Sequence, residues 1–173
     1  MGTINPTTRV KFFSGVIASS LEDMGQAAKL LEEEFGRIDS KSGVIDFDFT
    51  DYYAKEMGKP LLRQWVSFEK PIDPGDLAGI KVRTNELEQR FVSNGKRKVN
   101  LDPGYLAQSK LVLASTKDFS HRIYLSDGIY AEITMLYKGK EFKRLEWTYP
   151  DYASDFAKGY FTKVRNIYSS QLP

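Results

Sequence analysis

The chain of 173 residues has no cysteine and a single histidine. The first absence excludes disulfides, thiol nucleophiles, zinc ribbons and iron–sulfur clusters. It also fits a reducing compartment, so a cytoplasmic protein is expected. With one imidazole, a zinc site would need mostly carboxylate ligands, which is uncommon. Phosphoesterase chemistry that runs on two histidines is excluded for the same reason. No G-x-x-x-x-G-K-[ST] phosphate loop is present; the Gly-Lys pairs at 58–59, 95–96 and 139–140 lack the rest of it. There is no G-x-G-x-x-G after the first expected strand and no G-x-S-x-G elbow. No apolar run approaches the roughly 20 residues of a membrane span. The opening "MGTINPTTRV" lacks the apolar segment of a signal peptide. Neither sign of charge dominates: 25 basic and 23 acidic side chains leave a net +2. Composition alone therefore gives no reason to expect nucleic acid.

What is present reads as one folded domain over 1–173. Residues 9–18, "RVKFFSGVIA", are apolar and suit a buried strand. Ser20 then caps a helix whose stripe is Leu21, Met24, Ala28, Leu31 and Phe35, with Gly36 at its end. "VIDFDFTDYY" (44–53) alternates, and with "LLRQWVSFEK" (61–70) it predicts an antiparallel pair. Asp73-Pro74 opens a second helix with Leu77, Ile80, Thr84, Leu87 and Phe91 on one face, running to Gly95, before a short strand at 96–101. Asp102-Pro103-Gly104 reads as a turn. Residues 105–115 suit a helix in their first half and are ambiguous with a strand in "KLVLAS". "HRIYL", "IYAEITMLY" and "EFKRLEW" predict a meander with a hairpin at Asp127-Gly128. Ser154 caps a last helix carrying Phe156, Tyr160, Val164 and Ile167. The expected class is α+β: a mainly antiparallel sheet with flanking helices, a ferredoxin-like βαββαβ first half, then a β-meander and a C-terminal helix.

Six phrases together resemble one family: "FDFTDYYAKEMG" (47–58), "TNELE" (84–88), "VNLDPGYL" (99–106), "KLVLASTKDFSHRIYL" (110–125), "GIYAEIT" (128–134) and "WTYPDY" (147–152). The family is the bacterial and archaeal domain of unknown function 4416. The resemblance spans nearly the whole chain in the same order. It implies a free-standing, single-domain prokaryotic protein and supplies no catalytic assignment.

The polar phrases hold the candidate site residues. His121 stands at an element boundary, close to Lys117 and Asp118. An Asp–His pair serves general base chemistry, so His121, Asp102 and Lys117 are the candidate catalytic groups. A structural histidine bonded to Asp102 or Asp118 is the plainer reading. Arg122 is expected on the sheet face opposite His121. Lys110, Arg122, Tyr105, Asp48, Asn85 and Glu88 are the candidate ligand-binding residues. Glu88 lies late in its helix, where an acid opposes the helix dipole; pairing of Glu86 with Arg90 is the ordinary use of such charges. Asp46 and Asp48 lie about 7 Å apart along one strand face and form a candidate Mg²⁺ site; solvation or pairing with Arg63 is the simpler account. Trp147 is expected in the core or as a cleft wall.

These readings converge on a cytosolic protein with a small-ligand site for a phosphorylated or nucleotide-like molecule, with the question whether it is an enzyme acting on that molecule left open by the sequence. The rival is a non-catalytic RNA- or protein-binding module that uses the basic runs at 95–98 and 138–144. The two separate on whether the polar phrases meet in one pocket.

Overall fold

The computed structural model describes residues 1–172. Strand β1 (Lys11–Ala18) is buried along its whole length, because helices cover both of its faces. Helix α1 (Leu21–Phe35) follows, with Ser20 accepting from the Asp23 amide and Gly36 closing it at φ 95°. Then come β2 (Ile38–Lys41), β3 (Ile45–Asp46), α2 (Ala54–Met57) and β4 (Leu62–Phe68). A 3₁₀ turn (Pro74–Asp76), capped by Asp73, leads into α3 (Leu77–Gln89). The hairpin β5 (Val92–Ser93) and β6 (Lys96–Arg97) precedes β7 (Val99–Ala107) and β8 (Lys110–Ser115). The chain ends with β9 (Ile123–Ser126), β10 (Ile129–Lys138), β11 (Glu141–Arg144), α4 (Pro150–Ala153) and α5 (Asp155–Gln171).

The main sheet runs β11-β10-β8-β7-β1-β4-β2, and every paired neighbour is antiparallel. β1 therefore runs parallel to β2, one strand away, and β4 parallel to β7. Helices α1 and α3 make these two crossovers. Both lie on one face, over Phe12, Val16, Val66, Phe68, Val99 and Leu101. Helix α5 covers the other face, packing Ala157, Phe161 and Val164 on Phe13, Trp65, Leu106 and Leu113. The protein is thus α+β, with a mainly antiparallel sheet between helical layers.

Four expectations are corrected. Residues 105–115 form no helix: they are the end of β7 and all of β8, a tight hairpin. Asp102-Pro103-Gly104 is no turn but lies inside β7. Pro103 faces Ser14 of β1. A proline cannot donate, so this must be a non-hydrogen-bonded pair, with the Pro103 backbone directed away from β1. On that side β8 starts pairing only at Gly104, so no ladder bond is lost. Third, the 44–53 strand shrinks to Ile45–Asp46, because Phe47 leaves the sheet to pack with Ile17, Met57 and Leu61. Last, the second helix stops at Gln89; Gly95, at φ 71°, turns the β5–β6 hairpin instead. No helix among the described residues is long and apolar enough to cross a membrane.

Candidate functional site: a charged cleft beside strand β7

The site follows from the place where β7 has no strand neighbour. From Val99 to Pro103 its outer flank is open, because β8 pairs only from Gly104 onward. Alternate residues turn their backbone the same way, so Leu101 points outward like Pro103. Helix α3 supplies the missing partners. Lys81 Nζ donates to the Leu101 carbonyl at 2.8 Å, and the Leu101 amide donates to Glu88 Oε1 at 2.7 Å. Buried backbone groups need such partners, which explains an acid late in the helix. A cleft of ≈ 1020 Å³ opens along this flank.

At its floor lies Arg63, 2 % exposed. Its Nη1 donates to Asp102 at 3.0 Å, and its Nη2 stands 2.8 Å from Asp151. Burial pulls the Arg63 guanidinium down, but Asp151, Tyr152 and Asp102 overcome this and hold it above its usual value. Burial pushes the Asp102 carboxyl up, yet Arg63, Lys81 and the bond from Asn100 outweigh it, leaving it below the carboxylate range. Asp151 ends raised, because burial outweighs its share of Arg63. The guanidinium also lies over the rings of Trp65 and Tyr152, at 5.0 and 5.1 Å.

A second corner is built on Arg97. It bonds Glu88 inside, Asn100 at 3.1 Å, and both Glu56 oxygens at 3.1 and 3.0 Å. It therefore ties the β5–β6 hairpin to α2. Burial raises the Glu88 carboxyl above its usual value against the pull of Lys81 and Arg97. Both Glu88 oxygens are taken by protein donors.

The third wall carries the histidine. His121 Nε2 lies 3.2 Å from Glu132 Oε2, and Arg122 Nε donates to the same oxygen at 2.8 Å. Glu132 Oε1 accepts from Thr134 at 3.1 Å. A carboxylate only accepts, so in the neutral ring this contact places the hydrogen on Nε2 and leaves Nδ1 as the acceptor nitrogen. The His121 ring lies nearly parallel to Trp147, 4.9 Å away at 14°, and to Phe119 at 6.0 Å and 11°. Arg122 also donates to the Lys117 carbonyl at 3.0 Å and to the Tyr149 hydroxyl at 2.6 Å. Burial, then Glu132, pushes the Tyr149 phenol up to about 12, against the pull of Arg122. At the mouth, Lys117 Nζ sits 3.8 Å above the exposed Tyr52 ring.

Of the residues named from sequence, His121, Asp102, Lys117, Arg122, Asn85 and Glu88 line this cleft. Asp46, Asp48, Lys110 and Tyr105 do not. Asp46 and Asp48 are exposed, and no group of three or more metal-type side chains gathers among the described residues. Lys110 stands at the far end of β8, by the hairpin turn. Tyr105 follows Gly104 and so faces the helix α3 side, against Val112. Four relations differ from expectation, the first being that Arg63 pairs with Asp102 and Asp151 rather than with Asp46 or Asp48. The histidine partner is Glu132, not Asp102 or Asp118. Arg122 converges with His121 rather than pointing away, because both precede β9, where no pleat yet alternates them. Glu86 bonds Arg83, not Arg90. Trp147 is a cleft wall.

Sequence reasoning passed over Glu132 and gave Arg63 and Arg97 other roles, as a hairpin partner and as part of a basic run. Two of them carried a signal: Glu132 and Arg63 each interrupt an apolar strand. A charge at such a position is costly unless paired.

The family model described as "Domain of unknown function (DUF4416)" matches residues 8–168, and the chain belongs to that family. No curated protein and no solved structure matches the chain.

Proposed function

Starting from membership in the DUF4416 family, we propose that the cleft binds a small anionic, nucleotide-like molecule in the cytoplasm, and that the protein is an enzyme acting on it. One observation carries this reading. All six phrases through which the sequence resembles its family contribute side chains to the same cleft: Tyr53, Glu88, Asp102, His121, Glu132 and Trp147 are one from each. They lie far apart along the chain and meet only here.

The charges support an anionic ligand. Arg63, Arg97 and Arg122 are each held by carboxylates. Lys117 has no carboxylate within ion-pair distance among the described residues, and it is exposed at the mouth. The rings of Tyr52, Trp147 and Tyr149 are part-exposed in the lining of the same cleft and offer faces for a planar group. The same arrangement weakens the nucleic-acid alternative, because Arg97 of the basic run 95–98 is turned inward onto Glu88 and Glu56.

Thermal-shift screening against nucleoside phosphates and sugar phosphates tests the proposal. A ligand at a hundred times its Kd adds about 2.7 kcal/mol, which raises the melting temperature by several degrees. The Lys117→Ala protein is expected to lose that rise. Of the two tryptophans, Trp65 is fully buried and Trp147 lines the cleft, so the same ligand should change the emission of the wild type and not of Trp147→Phe. No stabilisation by any member of the panel would count against a ligand site.

A further inference from the structure

The wall that holds the histidine has a second polar group with a free hydrogen. Arg122 donates to the Tyr149 oxygen at 2.6 Å. A guanidinium never accepts, so the tyrosine oxygen is the acceptor and its own hydrogen remains to be given elsewhere. On the other side of Arg122, Glu132 Oε2 holds His121 by Nε2. That leaves Nδ1 as the basic atom, with no hydrogen-bond partner among the described residues. One Arg–Glu pair therefore fixes a proton acceptor and a proton donor at the same time. Both rings line the cleft, and both sit on its open part: His121 is half-buried and Tyr149 is 41 % exposed. Arg122 and Glu132 are buried, with side chains 3 % and 1 % exposed. The support is thus buried while the two rings that carry the working atoms are part-exposed, which is how an acid–base centre has to be built.

We propose that His121 and Tyr149 form a hydrolytic centre for an ester carried by the cleft ligand, with Glu132 and Arg122 as positioning residues. This rests on the ligand-site reading above and adds the chemistry. Water gives a proton to His121 Nδ1 while its oxygen bonds to the ester carbon or phosphorus. The oxygen that gains charge accepts from the Tyr149 hydroxyl. The bond to the alcohol oxygen then breaks, and the alcohol leaves with the proton held on His121. An ester and water become an acid and an alcohol, and no further reactant is consumed. Asp102 and Lys117, grouped with His121 from sequence, take no part: Asp102 is bound to Arg63 and Asn100, and Lys117 is left to hold the anion.

The test needs no knowledge of the natural ligand. Because the chain has one histidine, two-bond ¹H–¹⁵N correlation reads its tautomer without assignment. The expected neutral form has hydrogen on Nε2, and Glu132→Gln is expected to mix the two tautomers. p-Nitrophenyl acetate and p-nitrophenyl phosphate serve as chromogenic esters for the two possible centres. At least one should be hydrolysed by the wild type, and His121→Gln and Tyr149→Phe should each slow it about tenfold or more, within the range of such groups. Melting temperatures of the variants separate lost chemistry from lost fold. Should Glu132→Gln fail to fold, the wild-type tautomer and Tyr149→Phe still decide. Hydrogen on Nδ1 in the wild type, or hydrolysis of neither ester above the rate of both variants, overturns the proposal. Nucleotide stabilisation without ester hydrolysis would remove the chemistry and leave the ligand site; hydrolysis without it would do the reverse.

Discussion

Arg63 Nη1 and Asp102 Oδ2 lie 3.0 Å apart across the central strand β1, joining β4 to β7 through the space above Gly15. A β-carbon at Gly15 would come within 2.8 Å of Arg63 Nη1 and 2.9 Å of the Tyr152 hydroxyl. The glycine thus makes room for the arginine that organises the cleft floor.

Removing that arginine strands two carboxylates. In Arg63→Met, Asp102 and Asp151 lose the cation that both face. Breaking a buried pair by deleting one partner costs about 3–5 kcal/mol. Urea unfolding should show a loss of that order. A loss under about 1 kcal/mol would mean the floor is wetter than its 2 % exposure indicates.

Acid should separate wild type from Asp102→Asn. The folded Asp102 carboxyl lies below its ordinary value of about 3.9. A depressed carboxylate contributes stability that is present above the unfolded value and disappears as pH falls through the folded one. The variant should therefore be the less stable protein at pH 7, and the gap should close below about pH 4. Glu88 and Asp151 have the opposite sign, since burial raises them; Glu88 flattens the acid limb of both proteins, whereas Asp151, raised partly by the Asp102 charge, does so less in the variant. Melting temperatures from pH 7 to 3 read the difference; a gap that does not change with pH would refute the assignment to Asp102.

Two glycine-to-alanine changes should move stability in opposite directions. At Gly104 a β-carbon would run into the Val112 carbonyl and lie 2.7 Å from the Phe13 ring. The cost should meet or exceed the roughly 1–3 kcal/mol of ordinary overpacking, because a backbone oxygen cannot rotate aside. At Gly79, exposed in α3, nothing lies within 4 Å, and alanine should add about 0.5–1 kcal/mol. Equal effects at both sites, measured by chemical denaturation, would contradict the close β7–β8 approach.

Periodicity and capping made the helices α1 and α5 legible: Ser20 and Ser154 each accept from an amide three residues on. The β-meander was readable from its Asp-Gly turn. Strand β7 was not, because Pro103 and Gly104 are turn residues wherever only local chemistry acts. What overrides it is tertiary: an open flank for the proline and a close β8 backbone for the glycine. In the same way His121, singled out in the sequence, lies on the cleft, but its partner Glu132 is set by the β10–β8 register, which faces Glu132 with Leu113. No local pattern reports such a pairing. Arg63 looked like a hairpin partner for Asp46 and Asp48 and proved to reach across β1 instead.

The segment Trp147–Tyr152 closes the cleft from the C-terminal part of the chain, while the floor comes from β1, β4 and β7. During synthesis, then, the pocket cannot exist until the ribosome has passed residue 152, however early the sheet centre pairs. Truncated chains would carry Arg63 and Asp102 but lack Asp151 and the wall that holds the histidine ring. Any ligand of this cleft therefore discriminates finished molecules from fragments, and in a cell it would protect only the former from proteolysis.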